Sequence, residues 1–422
     1  MPLTIRAVRA REVLDSRGNP TVAAEVELSD GTTAEAKVPS GASTGAHEAV
    51  ELRDGDVARY AGRGVLRAVA NVRDTLGPAA AGMDPCDQAA VDSRLIELDG
   101  TPNKARLGAN AILAVSCAVA RAAARARGVP LWEHLCGPRA ASIPVPMVNI
   151  LSGGLHAGRQ FEFQDFLAVP RGFPAYAAAL EAIVGVHRAA FAVLRERGLI
   201  LTGVADEGGW GPHLETNEQA LDVLVESIGR AGLEPGKQMA IAIDVASTHF
   251  HKRGAYELAS EGRLLSGADM LELLESWCRR YPVVSIEDGF AEDDWENWKR
   301  LTGRLGSRVQ VLGDDLFATN PARLERGIRD GVANAVLVKM NQIGTLTETF
   351  AVIDRAREAC YRAVISARSG ETEDDFLADL AVASGAGQIK VGSVRTSERL
   401  AKYNRLLRIE EDGAAPWPGT VL

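Results

Sequence analysis

The second half of the chain repeats a short apolar segment that ends at or beside a charged residue. Each segment is separated from the next by a stretch long enough for a helix, and the charged residues are Asp244, Glu287, Asp314, Lys339, Arg368 and Lys390. This alternation predicts parallel βα units. Because a (β/α)8 barrel presents its functional side chains at the carboxyl ends of its strands, the pattern favours a barrel with one active face. A doubly wound open sheet is the alternative, but its ligand site draws on fewer strand ends.

The first part of the chain has a different pattern. Residues 22–28 and 33–38 flank a Ser-Asp-Gly-Thr turn and alternate in a strand-like way, which predicts a β-hairpin. Residues 39–45 are small and polar with two glycines, so we expect a mobile loop. An alanine-rich helix is predicted over residues 105–128, with Pro130 behind it as a stop.

Length, charge and cysteine content bound the class of protein. A chain of 422 residues exceeds what one hydrophobic core usually organises, and we predict an α+β domain at residues 1–139 and a barrel at residues 140–422. The net charge of −9 argues against nucleic acid as a partner. No apolar run reaches the roughly 18 residues of a membrane span. The five scattered cysteines lack a CxxC spacing, which predicts reduced thiols in a cytoplasmic protein.

Three acids, Asp244, Glu287 and Asp314, end consecutive predicted strands. Carboxylate oxygens on rigid strand ends suit a hard cation such as Mg²⁺, which accepts a few carboxylates together with water and substrate oxygens. The simpler interpretation is that each acid caps the helix after its strand. Three such acids in successive units, followed by a lysine at the end of the next, favour the metal site.

Lys339 ends an apolar predicted strand. An isolated buried lysine has a depressed pKa, so beside a divalent cation part of its population would be neutral and able to accept a proton. A salt bridge to a neighbouring strand-end acid is the alternative. Arg368 and Lys390 would point into the same opening and attract carboxylate and phosphate groups. Together these charges predict a small, multiply anionic substrate.

Several longer motifs resemble those of the enolase family. They are spread over residues 5–413 and include VLDSRGNPTV, VPSGASTG, LGANAILAVS, ADEGGWGP, SIEDGFAEDDW, SARSGETEDDFLADLAV and AKYNRLLRIEE. The resemblance implies an α/β protein in which an N-terminal α+β capping domain precedes an enolase-type modified (β/α)8 barrel. It also implies a cytoplasmic homo-oligomer, a dimer or larger, that acts on 2-phosphoglycerate and phosphoenolpyruvate.

The resemblance assigns metal ligands to four positions of this sequence. Asp244, Glu287 and Asp314 would hold Mg²⁺, and Ser40 in the predicted loop would reach a second Mg²⁺. The loop would then act as a lid that excludes water and completes the metal site. Metal charge meets the negative charge that develops when a carbon acid beside a carboxylate is deprotonated.

The same resemblance implies the catalytic and binding residues. Lys339 would remove the C2 proton, the arrangement of lysine base and Mg²⁺ that enolase-superfamily sites use. Glu207 would act as general acid for departure of the C3 hydroxyl, and Asp165 would help to hold that hydroxyl. The substrate would be held by His156 from its loop, by Arg368 and Ser369 at the phosphate, and by Lys390 at the carboxylate.

Some motif positions depart from the enolase pattern. Ala367 replaces an active-site histidine, and Asp165 replaces a glutamate and is one methylene shorter. His249 stands where enolases carry a glutamate, Val391 replaces a threonine, and the altered loop at residues 155–166 carries the bulky Phe161 and Phe163. The lost imidazole would leave space beside the phosphate for a second substrate.

These departures lead to three functional hypotheses. The first is a diverged member of carboxyphosphonoenolpyruvate synthase type in phosphonate biosynthesis, with phosphonoformate as second substrate and slow dehydration of 2-phosphoglycerate. The alternative is an ordinary glycolytic enolase. A third hypothesis, of another class, is a non-catalytic binding protein on the same fold.

Overall fold

The computed structural model describes residues 2–41, 47–413 and 415–422. Of the predicted mobile loop at residues 39–45, residues 42–45 lie outside this description. The strands are β1 (Ile5–Leu14), β2 (Pro20–Leu28), β3 (Thr33–Lys37), β4 (Val145–Ser152), β5 (Asp165–Pro170), β6 (Met239–Asp244), β7 (His251–Lys252), β8 (Ala255–Leu258), β9 (Arg263–Leu265), β10 (Val283–Glu287), β11 (Gln310–Gly313), β12 (Ala335–Val338), β13 (Arg362–Ser366) and β14 (Gln388–Gly392).

Helices surround these strands. They are α1 (Leu66–Asn71), α2 (Gly77–Ala80), α3 (Gln88–Asp99), α4 (Ala109–Ala126), α5 (Leu131–Cys136), α6 (Tyr176–Glu196), α7 (Asn217–Arg230), α8 (Gly267–Arg280), α9 (Trp295–Leu305), α10 (Pro321–Asp330), α11 (Met340–Ile343), α12 (Leu346–Glu358), α13 (Phe376–Ser384) and α14 (Ser397–Glu411).

The N-terminal domain is built on an antiparallel sheet in the order β1-β2-β3. The β2–β3 pairing confirms the predicted hairpin, and its register places Val26 opposite Ala34. Helix α4 packs against β2 and β3 and is buried along nearly its whole length. A helix that is apolar on most of its surface can be buried in this way, and small alanine side chains let the sheet approach closely. The predicted helix is confirmed.

The second domain is a closed barrel with the strand order β10-β11-β12-β13-β14-β4-β5-β6. All neighbouring pairs are parallel except those of β5, which runs antiparallel to β4 and β6. The connection from β4 to β5 contains a 3₁₀ turn (Gly154–Ala157) in place of a crossover helix, so the chain returns beside β4 in the opposite direction. The barrel therefore has the modified (β/α)8 architecture that the resemblance implies.

Apolar side chains fill the barrel. Inward-facing residues from several strands, among them Met147, Leu167, Leu312 and Leu337, form one buried cluster. The C-terminal segment packs against this cluster through Trp417 and the two last residues. Because the interior is packed, a ligand site is left to the carboxyl ends of the strands.

The N-terminal domain covers that carboxyl end. Ser40, just beyond β3, exchanges two backbone hydrogen bonds with Gly370 in the loop after β13. On α3, the buried carboxylate of Asp92 accepts hydrogen bonds from the backbone and hydroxyl of Thr347 at the start of α12. The loops around the barrel opening are thus held from both domains.

Helices α4 and α6 are long and apolar enough to cross a membrane by length and composition alone. The apolar window of α4 is 83% buried inside the protein, and that of α6 is 44% buried. In the structure α4 lies on the N-terminal sheet, while α6 packs on α7 and on the barrel strands β4 and β5. The apolar side chains of α4 therefore pack within the fold, whereas α6 buries one face against α7 and the barrel.

Candidate active site

A cleft opens at the carboxyl ends of the barrel strands, beneath the N-terminal domain. Most of the predicted site residues line it: His156, Glu207, Asp244, Asp314, Lys339, Arg368, Ser369 and Lys390. Among the described residues, Glu287, Asp165 and Ser40 lie outside this lining and are buried behind it. The fold thus brings into one opening residues that are far apart in the sequence.

Asp244 and Glu287 lie side by side at the ends of β6 and β10. The Nζ atom of Lys390 donates to Asp244 Oδ2 and to both carboxylate oxygens of Glu287, each at 2.8 Å. Although burial alone lowers it, these two acids raise the pKa of Lys390 well above its usual value. Lys390 lies inside β14 and not at its end, so the sequence-based placement is corrected.

Asp314 follows β11 and pairs with Lys339, whose Nζ atom donates to Asp314 Oδ2 at 2.5 Å. Burial alone lowers the pKa of Lys339, but the attraction of Asp314 outweighs it and the pKa is raised. The lysine is thus paired and not isolated, and the lowered pKa that was expected for it beside a divalent cation stays a prediction. The salt bridge kept as the alternative is present, and it does not remove Lys339 from the cleft.

Asp288, directly after Glu287, was not predicted from the sequence. Its two carboxylate oxygens accept the backbone N–H groups of Asp314 and Asp315 at 2.9 and 2.8 Å. Its carbonyl accepts both the N–H and the hydroxyl of Ser247. Asp288 therefore links the carboxyl ends of β6, β10 and β11 by hydrogen bonds. The three predicted metal ligands lie at these strand ends.

The carboxylates of this region fit a hard divalent cation. Asp288, Asp314 and Asp315 have carboxylate oxygens within 4.8 Å of one another. Burial and the neighbouring Asp244 raise the pKa of Glu287 well above its usual value. The positive charge of Lys390 therefore does not fully neutralise the negative charge of these carboxylates. Oxygen-only donors with excess negative charge are what Mg²⁺ requires. Of the ligands that the resemblance implies, Asp314 belongs to the group with Asp288 and Asp315, and Asp244 and Glu287 do not, so the ligand set stays a prediction.

The opposite side of the cleft carries His156 between two acids. Its Nδ1 atom lies 3.0 Å from Asp165 Oδ2, and its Nε2 atom lies 3.8 Å from Glu207 Oε1. Burial lowers the pKa of His156, but Asp165 and then Glu207 outweigh burial and raise it to about 9. Burial raises the pKa of Glu207, yet His156 brings it below the usual value. The raised pKa favours the protonated imidazole at neutral pH, a form that can donate a proton.

Asp165 is fully buried in the wall of the barrel. One of its oxygens accepts hydrogen bonds from Asn149 at 2.5 Å and from Ser152 at 2.9 Å. The other oxygen faces His156. The short side chain is thus engaged on all sides within the protein and reaches the cleft only through the imidazole.

Arg368 and Ser369 lie in the loop after β13. Both terminal nitrogens of Arg368 contact Glu48, with distances of 2.9 and 3.3 Å, and one also donates to Asn341 at 3.0 Å. Burial lowers the pKa of Arg368, while Glu48 outweighs burial and raises it. Sequence reasoning missed Glu48; its position in the charged segment HEAVELRD, next to the predicted loop, was the available signal.

Ser40 lies at the edge of the site. Its hydroxyl donates to Glu51 at 3.3 Å and accepts from Arg53 at 2.7 Å. Burial raises the pKa of Glu51. The described residues therefore place the hydroxyl in a polar cluster of the N-terminal domain, and its role toward a second Mg²⁺ stays a prediction.

Some of the residues that depart from the enolase pattern line the cleft, and others are buried in the core. Ala367 and His249 line the cleft. The two phenylalanines of the loop, Phe161 and Phe163, are fully buried, and Phe163 meets the ring of Trp277 edge-on at 5.1 Å. These phenylalanines serve packing, so only part of the altered loop can act on a substrate.

Comparisons with known proteins identify the family of this chain. The family described as Enolase, N-terminal domain matches residues 5–135, and the family described as Enolase, C-terminal TIM barrel domain matches residues 140–418. This chain belongs to the enolase family. A relative from Rubrobacter xylanophilus named Enolase is 54% identical over 417 residues, which is 98% of this chain and 97% of the relative. The chain is thus an enzyme of the lyase class, and enolases use Mg²⁺.

The enolase resemblance inferred from the motifs is therefore confirmed. The comparisons give no support to a carboxyphosphonoenolpyruvate synthase, which was our first functional hypothesis. They favour the alternative, an ordinary enolase, because the identity extends over both domains. The individual roles that the resemblance implies for the site residues stay predictions.

Proposed function

We propose that this protein catalyses the Mg²⁺-dependent dehydration of 2-phosphoglycerate to phosphoenolpyruvate. The observation that carries the proposal is the presence in one cleft of Lys339, of the neighbouring side chains of His156 and Glu207, and of the guanidinium of Arg368. A base, an acid and an anion-binding group are the parts that removal of water from a phosphorylated hydroxy acid needs. The 54% identity to a relative named Enolase supports the same reaction.

Proton abstraction is the first step. Lys339 Nζ, in its neutral form, accepts the C2 proton, and the electrons of the C2–H bond move into the substrate carboxylate. The attraction of Asp314 opposes loss of the lysine proton, so a cation on Asp314 would weaken this ion pair and favour the neutral amine. Bound Mg²⁺ supplies positive charge for the carboxylate as its negative charge grows.

Departure of the hydroxyl is the second step. The C3–O bond breaks, the electron pair at C2 forms the double bond, and the oxygen leaves as water after accepting a proton. His156 passes its proton to Glu207 across the 3.8 Å gap, and Glu207 gives that proton to the leaving oxygen; the imidazole is left neutral and Glu207 is left as a carboxylate. In this proposal Asp165 acts through His156 by keeping the imidazole charged and oriented, because its own oxygens are engaged within the wall.

The remaining assignments concern binding. Arg368 and Ser369 hold the phosphate, and Lys390 holds the carboxylate once Asp244 and Glu287 bind Mg²⁺. Two ions would bind per site, the second with Ser40. We also propose a homo-oligomer located in the cytoplasm, where the cysteines stay reduced; those of the described chain are all free.

The experiment that tests the proposal follows phosphorus by NMR. The protein is incubated with Mg²⁺ and 2-phosphoglycerate, with and without phosphonoformate. We expect conversion to phosphoenolpyruvate at the same rate in both samples, with the phosphonoformate signal unchanged. A new phosphonate signal that appears only when the protein is present would support the phosphonate-transfer hypothesis instead. No conversion in either sample would favour the non-catalytic binding protein.

A further inference from the structure

Helix α14 places two cationic side chains in the interior of the protein. Arg399 is 0% exposed and Lys402 is 1% exposed. Burying a charge is costly unless it is paired and hydrogen-bonded, so each of these side chains needs a partner inside the fold. Several of their partners lie in the loop at residues 367–372, which carries the proposed phosphate-binding residues.

The guanidinium of Arg399 is hydrogen-bonded to two backbone carbonyls of that loop and to one of β14. Its Nη1 atom donates to the carbonyl oxygens of Arg368 at 2.6 Å and Val391 at 2.8 Å. Its Nη2 atom donates to the carbonyl oxygen of Ser369 at 2.8 Å. These three bonds are charge-assisted and are shielded from water, and both properties strengthen them.

Lys402 holds the same loop one helical turn further along α14. Its Nζ atom donates to the carbonyl oxygen of Thr372 at 2.7 Å and forms an ion pair with Glu371 Oε2 at 2.8 Å. The other carboxylate oxygen of Glu371 accepts the backbone N–H of Arg368 at 3.1 Å. Lys402 therefore reaches the phosphate-binding residue through one intermediate side chain.

The opposite side of the loop is held by the N-terminal domain. Ser16 N donates to the carbonyl oxygen of Glu371, and Gly370 exchanges backbone hydrogen bonds with Ser40. In a trans peptide, the C=O of one residue and the N–H of the next point in opposite directions. The Arg368 carbonyl points toward Arg399 on α14, so the N–H of Ser369 points away from α14.

We infer that Arg399 is a positioning residue for the anion-binding loop, which it sets before the ligand arrives. The identity of the anion as a phosphate rests on the proposed function. Arg399 contacts the carbonyl groups of both proposed phosphate ligands, so the guanidinium of Arg368 and the hydroxyl of Ser369 are presented at a fixed distance from each other. A loop that is already ordered before the ligand arrives binds it without losing conformational entropy in the loop.

The test compares variants of two arginines on α14. Arg399→Met removes the three carbonyl bonds, and Arg399→Lys keeps the charge but places one ammonium where the guanidinium had two terminal nitrogens. Arg405→Met is the matched control, because Arg405 pairs with Asp379 at 2.7 Å. Each protein is measured for the Kd of inorganic phosphate with Mg²⁺ present, for kcat and KM with 2-phosphoglycerate, and for its thermal midpoint.

For Arg399→Met we expect the phosphate Kd and the KM to rise together by about tenfold to a hundredfold, the effect of losing one or two charge-assisted hydrogen bonds. Arg399→Lys should give a smaller rise in both constants. The control should lower the thermal midpoint but leave the phosphate Kd within about twofold of the parent. A folded Arg399→Met or Arg399→Lys protein with both constants unchanged would overturn the inference.

A measurement on the parent protein does not depend on the folding of any variant. Hydrogen exchange of residues 367–372 should be equally slow without and with inorganic phosphate, because α14 already holds the loop. Fast exchange that slows only on phosphate binding would contradict the inference. If the parent binds phosphate as expected but does not convert 2-phosphoglycerate, the proposed function fails and the role of Arg399 stands.

Discussion

The Nδ1 atom of His156 lies 3.0 Å from the carboxylate of Asp165. This contact joins a residue of the cleft to a carboxylate that is fully buried behind it. The pKa of His156 is raised to about 9, and burial alone would have the opposite effect. The charge of the imidazole, and with it the supply of a proton to the cleft, therefore depends on Asp165.

The first prediction concerns Asp165→Asn. The amide keeps the size of the side chain but removes the negative charge, so the imidazolium loses its main partner. We expect kcat with 2-phosphoglycerate to fall by about 10²-fold, the lower end of the range for losing a proton-transfer group. Steady-state assay measures kcat. Ser152→Ala is the control, since it removes one hydrogen bond to Asp165 and keeps the charge; equal losses in the two variants would contradict the role of the charge.

The second prediction follows from the same ion pair and concerns pH. The pKa of His156 is raised from about 6.5 to about 9 in the folded protein. A raised pKa contributes stability that is fully present below the unfolded value and is lost as pH rises through the folded value. We therefore expect the thermal midpoint to decline between pH 6.5 and pH 9, and to decline less in Asp165→Asn. A thermal midpoint that falls equally in the parent and in Asp165→Asn over this range would contradict a contribution of the His156–Asp165 pair.

The third prediction concerns Lys339→Ala. Loss of the base should slow exchange of the C2 proton of 2-phosphoglycerate with deuterated solvent by about 10²- to 10⁴-fold. Proton NMR of the substrate in D₂O reports this exchange directly, separately from loss of the hydroxyl. A variant that exchanges the proton at the parent rate would remove Lys339 from this role. The comparison protein is Lys252→Ala, in which an exposed lysine on β7 is lost.

The site could be predicted in part because strand ends are visible in the sequence. Asp244, Glu287 and Asp314 follow apolar segments of strand length, and the barrel brings such positions together. The contacts of Lys390 were not predictable in the same way. Which carboxylates a long side chain reaches depends on its direction across the barrel, and the segment QIKVGS shows only that a lysine is present.

Contacts between distant parts of the chain were missed for a similar reason. Glu48 and Arg368 are separated by 320 residues, and no local pattern relates them. The reversed direction of β5 was also invisible to apolar periodicity, because a strand has the same alternation in either direction. The contact between Glu48 and Arg368 and the direction of β5 were therefore seen in the structure, and the residues alone did not predict them.

The fourth prediction concerns Mg²⁺. Asp314→Asn removes one charge from the carboxylates that fit the ion, so the rise in thermal midpoint on adding Mg²⁺ should be much smaller than in the parent. Calorimetric titration with Mg²⁺ in the absence of substrate gives an independent affinity. Asp293→Asn is the matched control, because Asp293 is 68% exposed and pairs with Arg323 outside the metal ligands. An unchanged Mg²⁺ affinity in Asp314→Asn would remove Asp314 from the ligand set.

The last prediction concerns an ion pair that joins the two domains. Arg121 on α4 donates to both oxygens of Asp374 in the loop before α13, at 2.7 and 3.0 Å. Asp374 also accepts the backbone N–H of Lys37 at the end of β3. The pair thus ties the capping sheet to the loop that follows the proposed phosphate ligands.

Removing Arg121 leaves the carboxylate of Asp374 buried without its cation. For Arg121→Met we expect the free energy of unfolding at pH 7 to fall by about 3–5 kcal/mol, as when one partner of a buried pair is lost. Urea unfolding measures it. Arg73→Met is the control, because the pair of Arg73 with Asp74 is exposed, and its loss should leave the unfolding midpoint unchanged.

The same pair has a pH dependence of defined sign. Burial alone raises the pKa of Asp374, but Arg121 outweighs burial and holds the pKa below its usual value. The stability from a depressed carboxyl pKa is present above the unfolded value, about 3.9, and is lost as pH falls through the folded value. The difference in stability between parent and Arg121→Met should therefore shrink when unfolding is repeated below about pH 4. A difference that stays constant from pH 7 to pH 3 would show that Arg121 stabilises the domain contact by packing and not by its charge.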